Sequence, residues 1–220
     1  STNVASAAAP AAPQVDATVS DIPNVLSALR TGKSIKAAVE QALAQSPADN
    51  PRRVAALKYL GQIAQSLDVL DGAVRGNLGI TRQSVLHTSQ KGSLHAYKLA
   101  LASALEAGDS VAIGVAVSRL NHFINQRKSK QAALALLKKA YDAIPANASA
   151  DQKYPVMRQD AKDASKYTLE YVQMVEGWNR RPGDMYFKDA AAFEKFAATV
   201  TAETEALTSL VKAGKGIADI

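Results

Sequence analysis

Between Ser93 and Ile144 the chain carries strongly periodic apolar stripes interrupted by a single Gly108-Asp109 step, and this stretch decides the fold class. Leu94, Tyr97, Leu101 and Leu105 recur at the 3.6-residue period of a helix, with Ala100 and Ala104 beside them. Such small flanking residues let a second helix approach closely. Gly108 predicts the end of that helix, and Asp109 or Ser110 caps the next, in which Ile113, Val117, Leu120 and Ile124 fall in register. Leu134, Leu137, Tyr141 and Ile144 then continue the period. The polar run Asn125-Gln126-Arg127-Lys128-Ser129-Lys130-Gln131 between the two stripes holds neither Gly nor Pro. The pattern therefore predicts one long helix with a polar middle, a break near Ser129 being the alternative. The stretch reads as a helical hairpin built for packing and contact, without an arrangement of residues for chemistry.

Segments on either side extend the pattern. Residues 1–20 read as an Ala/Pro-rich linker, extended or disordered, because the run from Ala5 to Pro13 offers little apolar surface and interrupts its alanines with prolines. No secretory signal is read there, since a positive start and a continuous apolar core are both missing. The chain opens on Ser1, as a processed start and a piece of a longer protein both would. A small helical subdomain is predicted over 21–78. In it Pro23 opens a short helix that Gly32 ends, Ser34 caps a second that Ser46-Pro47 closes, and Asn50-Pro51 opens a third carrying Val54, Leu57, Leu60, Ile63, Leu67 and Leu70. Gly72, Gly76 and Gly79 predict a turning connection. The main helical domain follows over 79–220: the hairpin, a polar loop from Pro145 to Pro155, a helix from about Ala161 to Trp178, and a last helix from roughly Lys188 to Ala213 that Gly214 and Gly216 release. The expected architecture is all-α, a multi-helix bundle assembled from helical hairpins.

Composition agrees and excludes some chemistry. Of 220 residues 47% are hydrophobic but only 5% aromatic, so Ala, Leu and Val supply the core, which favours helices over sheets. With no cysteine there is no disulfide, thiolate nucleophile or Cys-type zinc site. No run of 18 apolar residues predicts a membrane span, so membrane contact is not indicated. His87, His95 and His122 form no i, i+4 pair and no HExxH, so no metal site is read. Gly72 to Gly79 and Ala213-Gly214-Lys215-Gly216 lack the Lys-Ser/Thr of a phosphate-binding loop, and Glu203 and Glu205, two apart on a helix, do not face each other. Catalytic residues and cofactors are thus expected to be none, and the chain is not expected to be an enzyme.

Two features remain as contact candidates. A net charge of +6 favours encounter with anionic surfaces, and Arg127, Lys128 and Lys130, with Lys138 and Lys139 beyond them, would offer phosphate contacts without reading bases. Trp178-Asn179-Arg180-Arg181 joins an aromatic to two arginines, a combination common at interfaces and on single-stranded nucleic acid. The residues singled out for nucleic-acid or partner contact are accordingly Arg127, Lys128, Lys130, Trp178, Arg180 and Arg181.

The order of these segments resembles a known family. Leu94-His95-Ala96-Tyr97, the Gly-Asp turn, Leu120-Asn121-His122-Phe123-Ile124, the polar loop, Trp178-Asn179-Arg180-Arg181 and Phe193-Glu194-Lys195-Phe196-Ala197 are similar to a region upstream of the polymerase domain in the giant RNA polymerases packaged inside the virions of certain podophages. The resemblance covers roughly 79–213 and is one of pattern and spacing. It implies a non-catalytic helical region of such a polymerase, or an internal ejection protein sharing its module, held in the virion interior and delivered with the DNA to the host envelope or cytoplasm. Implied partners are other virion, tail or portal proteins, a second copy of the chain, and non-specific DNA. The polymerase's own metal-binding and nucleotide-contacting motifs have no counterpart in this sequence. A helical scaffold or adaptor binding a protein or a nucleic-acid backbone outside any virion is the alternative function.

Overall fold

The computed structural model describes residues 22–75, 85–173, 181, 183–187 and 189–220, with the side chains of 73–93 excepted. The fold is mostly α. In chain order the elements are α1 (Pro23–Thr31), α2 (Lys36–Gln45), α3 (Pro51–Arg75), α4 (Val85–Ala107), α5 (Ser110–Ser118), α6 (Asn121–Asp142), β1 (Lys153–Gln159), β2 (Tyr167–Gln173) and α7 (Ala190–Ala218). The expected linker over 1–20 and the glycines Gly76 and Gly79 lie outside the described residues. Among the described residues no helix is long and apolar enough to cross a membrane.

Helix punctuation follows the sequence closely where a side chain or a glycine sets it. Gly32 ends α1 with φ 72°, a conformation that costs a residue without Cβ little, and its N–H donates to the Leu29 carbonyl at 3.3 Å. Asn50 accepts the Arg53 N–H through Oδ1 at 3.2 Å just before α3. Gly108 ends α4 with φ 64°, and Asp109 Oδ1 accepts the N–H groups of Val111 and Ala112 at 3.0 and 3.1 Å, satisfying two of the open donors of α5.

Three expectations are corrected. The long helix breaks, and it breaks at Arg119-Leu120 instead of near Ser129. Leu120 is 2% exposed, and its carbonyl accepts the Phe123 and Ile124 N–H groups to start α6, while the Arg119 N–H closes α5 on Val115 and Val117. Ser129 stays within the helix because Arg127 and Lys130 on either side of it are drawn inward.

The helix expected over 161–178 is replaced by β2, paired antiparallel with β1 so that Met157 lies opposite Leu169 and Pro155 opposite Tyr171. Tyr167-Thr168-Leu169-Glu170-Tyr171-Val172 is rich in aromatic and β-branched residues alternating at period two, which suits a strand. Its turn is made by acidic side chains: Asp160 Oδ1 accepts from the backbones of Lys162 and Asp163, and Asp163 Oδ1 from the N–H and hydroxyl of Ser165. Strand β1 consequently begins inside the expected polar loop. Its Val156 and Met157 are buried while most of β2 is exposed.

Helix α7 also runs on through Gly214 and Gly216 to Ala218. Both glycines are points of close approach: a Cβ on Gly214 would overlap a Val117 methyl, and one on Gly216 would lie 2.6 Å from the Tyr59 ring. Gly72 likewise sits within α3 and starts no turn.

Contacts divide the chain into two compact units, each discontinuous in sequence. One comprises 22–67, 95–119 and 209–220, the other residues from 68–94 and 120–208. The division is discontinuous because α3, α4 and α7 each give part of their length to each unit. In the first, Leu29, Val39, Leu57, Leu60, Leu101, Leu105, Ile113 and Leu210 form the buried interior. In the second, Ala133, Leu134 and Leu137 of α6 pack with Met157, Met185, Phe193, Phe196 and Val200.

These glycines separate backbone freedom from packing. Gly72 has nothing within 4 Å of an added Cβ, so Gly72→Ala gains helix propensity and raises the unfolding free energy by about 0.5–1 kcal/mol. Gly214→Ala meets Val117, which is fully buried, and the overpacking outweighs that gain for a net loss of about 1–3 kcal/mol. Urea unfolding followed by circular dichroism measures both; a stabilised Gly214→Ala contradicts the packing role.

Candidate functional site

Two apolar stripes in the sequence each contain charged residues, and the structure brings those charges together. On α6 the stripe Leu120, Ile124, Leu134, Leu137 passes through Arg127 and Lys130; on α7 the stripe Phe193, Phe196, Val200, Leu207, Leu210 passes through Glu203. Arg127 is 2% exposed and donates through Nε to Glu203 Oε2 at 2.5 Å, Glu203 being 5% exposed. Lys130 lies on the same face, as residues three apart on a helix do, and is itself buried. Its Nζ stands 5.8 Å from the centre of the Phe196 ring, at cation–π distance.

Two cations, Arg127 and Lys130, lie close to the Glu203 carboxylate in this cluster. Burial, then repulsion from Arg127, pulls the Lys130 ammonium down to about 8 from 10.5, against the opposing attraction of Glu203. Tyr167 of β2 stands close enough to feel Arg127. Burial pushes its phenol up to about 12, although Arg127 and the hydrogen bond from Gln159 Nε2 at 3.1 Å act the other way.

A second charged knot holds the segment after the hairpin. Asp184, its side chain fully enclosed, accepts from Arg158 Nη1 at 2.6 Å and from the backbone N–H groups of Arg181 and Gln159 at 3.1 and 3.3 Å. Arg158 reaches across to Glu170 Oε2 at 2.9 Å through Nε. The neighbouring Met157 and Met185 exchange backbone hydrogen bonds of 2.9 Å each way, so Asp184 fixes the chain just where it pairs beside β1.

The residues singled out in the sequence fare differently. Arg127 and Lys130, expected at a phosphate-facing surface, are interior side chains, because a stripe of core positions runs through them. Lys128, between them, is exposed. Lys138 is committed to Asp142 at 3.1 Å and lies 5.7 Å from the Phe193 ring, while Lys139 is exposed. Arg181 keeps half of its side chain in solvent and serves Asp184 through its backbone. Trp178 and Arg180 lie outside the described residues, as does the side chain of His87. His95 is exposed, and His122, also exposed, meets Gln126 at 3.1 Å. Among the described residues no three His, Cys, Asp or Glu side chains gather closely enough to hold a metal ion.

Sequence reasoning missed Glu203 as the partner of Arg127, and Asp184 as an organising carboxylate. For the first pair the signal was present: a charge set in each of two core stripes, with opposite sign. What such an arrangement does is fix which turns of α6 and α7 meet. Comparison of the chain with protein-family models, curated proteins and solved structures found no match.

The Lys130 environment has a pH signature. Its pKa is lower in the folded protein than in the unfolded chain, so between about pH 8 and pH 10.5 the unfolded chain holds more protons and stability rises with pH. At about 1.4 kcal/mol per pKa unit the full gain is on the order of 3 kcal/mol. Tyr167 and Tyr97, both raised by burial, act oppositely once the unfolded phenols ionise, so stability falls again above about pH 10. Urea midpoints measured from pH 7 to 11 should pass through a maximum near pH 10. In Lys130→Met the rise between pH 8 and 10 should vanish; a persisting rise excludes Lys130 as its source.

Proposed function

We propose that this chain is a non-catalytic helical module of a podophage virion protein, either an internal ejection protein or the helical region of a virion-packaged RNA polymerase, delivered into the host with the DNA. The observation that carries this proposal is where the residues of the family resemblance fall. Leu94 and Tyr97, Leu120 and Ile124, Phe193 and Phe196 are all buried. The shared pattern is therefore one of core positions, and what it supports is a shared architecture.

Passage through a narrow tail conduit demands a fold that opens and re-forms, and the physical character of this chain suits that demand. It has no cysteine, so no covalent cross-link obstructs threading. The charges of Arg127, Lys130 and Glu203 regain hydration as the chain opens, which lowers the cost of opening relative to an all-apolar core. On this proposal its partners are portal and tail proteins along the conduit, and its location changes from the virion interior to the host envelope or cytoplasm.

Quantitative mass spectrometry of purified particles, before and after triggered DNA release, is the test. Peptides of this chain should be present in full particles and depleted from emptied ones. Their absence from full particles, or their retention in emptied shells, contradicts the assignment.

A further inference from the structure

Helix α5, Ser110-Val-Ala-Ile-Gly-Val-Ala-Val-Ser118, contains no charged residue, yet only part of its circumference is covered. Ile113, Ala116 and Val117 face inward, whereas Val111 and Val115 are 53% and 51% exposed. A helix apolar all round belongs in an environment that is apolar all round. Beside the two exposed valines runs a groove of about 500 Å³ between α4 and α5, with Ala104 and Ala116 in its lining and Ala100, Ser103, Ala107 and Ala112 along it. Small side chains there leave room for larger ones. Asp109 lies at one end of this groove and Arg119 at the other.

We infer that the α4–α5 groove is a self-association surface, occupied by the α5 helix of a second copy of this chain packed antiparallel across a two-fold axis. The order of charges selects this occupant. An antiparallel second copy brings its Arg119 to Asp109 of the first and its Asp109 to Arg119, so both ends are matched at once; a parallel copy sets like against like. Asp109 uses Oδ1 for the two capping hydrogen bonds, leaving Oδ2 to meet a guanidinium. Between these ends the valines of each copy enter the Ala-lined groove of the other. This is the reciprocity an isologous interface requires. The surface is argued from α4 and α5 alone and holds independently of the virion assignment.

One helix and a groove bury less than a stable dimer needs, so the association is weak, with a Kd on the order of 10–100 µM. Sedimentation velocity of the 220-residue chain across that concentration range reads it directly. Val111→Gln combined with Val115→Gln replaces exposed side chains only and should raise the Kd by at least ~10-fold while the thermal melt of a dilute sample is unchanged. Asp109→Asn keeps a good helix cap but removes the charge, and should raise the Kd by about 3-fold and reduce its salt dependence. A wild-type chain that stays monomeric throughout overturns the inference. So does a dimer whose Kd ignores both the valine pair and Asp109→Asn.

Discussion

The second unit is organised around a desolvated charge that must be matched. Arg127 and Glu203 lie inside the apolar stripes of α6 and α7, and taking such ions from water costs several kcal/mol each unless the partner is in place. Sliding α7 by one turn would set Val200 or Leu207 against the guanidinium. An apolar stripe alone tolerates such slips, because leucine and valine replace one another at modest cost. The ion pair does not, so it specifies register more than it adds stability. Lys130 sharpens the constraint by adding a second cation beside the same carboxylate, eased by the face of Phe196.

Helical periodicity made most of the fold legible. Pro23, Gly32, Asn50, Gly108 and Asp109 mark helix ends because each acts through its own backbone or side chain, a local effect that a sequence carries openly. The break at Arg119-Leu120 was not legible, since no Gly or Pro marks it; it falls where the contacts of the chain pass from one unit to the other. The β-hairpin was hidden by a different ambiguity. Tyr167, Leu169, Tyr171 and Val172 fit a short helical face nearly as well as a strand, and the acidic turn that decides between them involves hydrogen bonds rather than apolar pattern. At Gly214 and Gly216 the sequence is ambiguous because glycine serves both as a helix terminator and as a notch, and only the neighbouring Val117 and Tyr59 distinguish the two.

Of the six contact candidates, Arg127 and Lys130 lie in the interior. A basic run in a helix ordinarily lies in solvent, and Lys128 does. Arg127 and Lys130 do not, because their positions continue the stripe of Leu120, Ile124, Leu134 and Leu137. The same phase relation places Glu203 among Phe196, Val200 and Leu207. Charges that repeat with the core belong to the core, and this removes Arg127 and Lys130 from any surface that would track a nucleic-acid backbone. Among the described residues, the half-exposed valines of α5 beside their groove form an exposed apolar feature.

The central claim, that the Arg127–Glu203 pair sets the register of α6 on α7, is tested most directly by a double-mutant cycle in urea at neutral pH. The Lys130→Met background removes the second cation. In it, Arg127→Met and Glu203→Leu should each cost about 3 kcal/mol or more, because each removes one member of a buried, hydrogen-bonded ion pair. The double variant should recover most of that loss, giving a coupling on the order of 2 kcal/mol or more. A double variant whose loss equals the sum of the two single losses, within about 0.5 kcal/mol, would contradict the account.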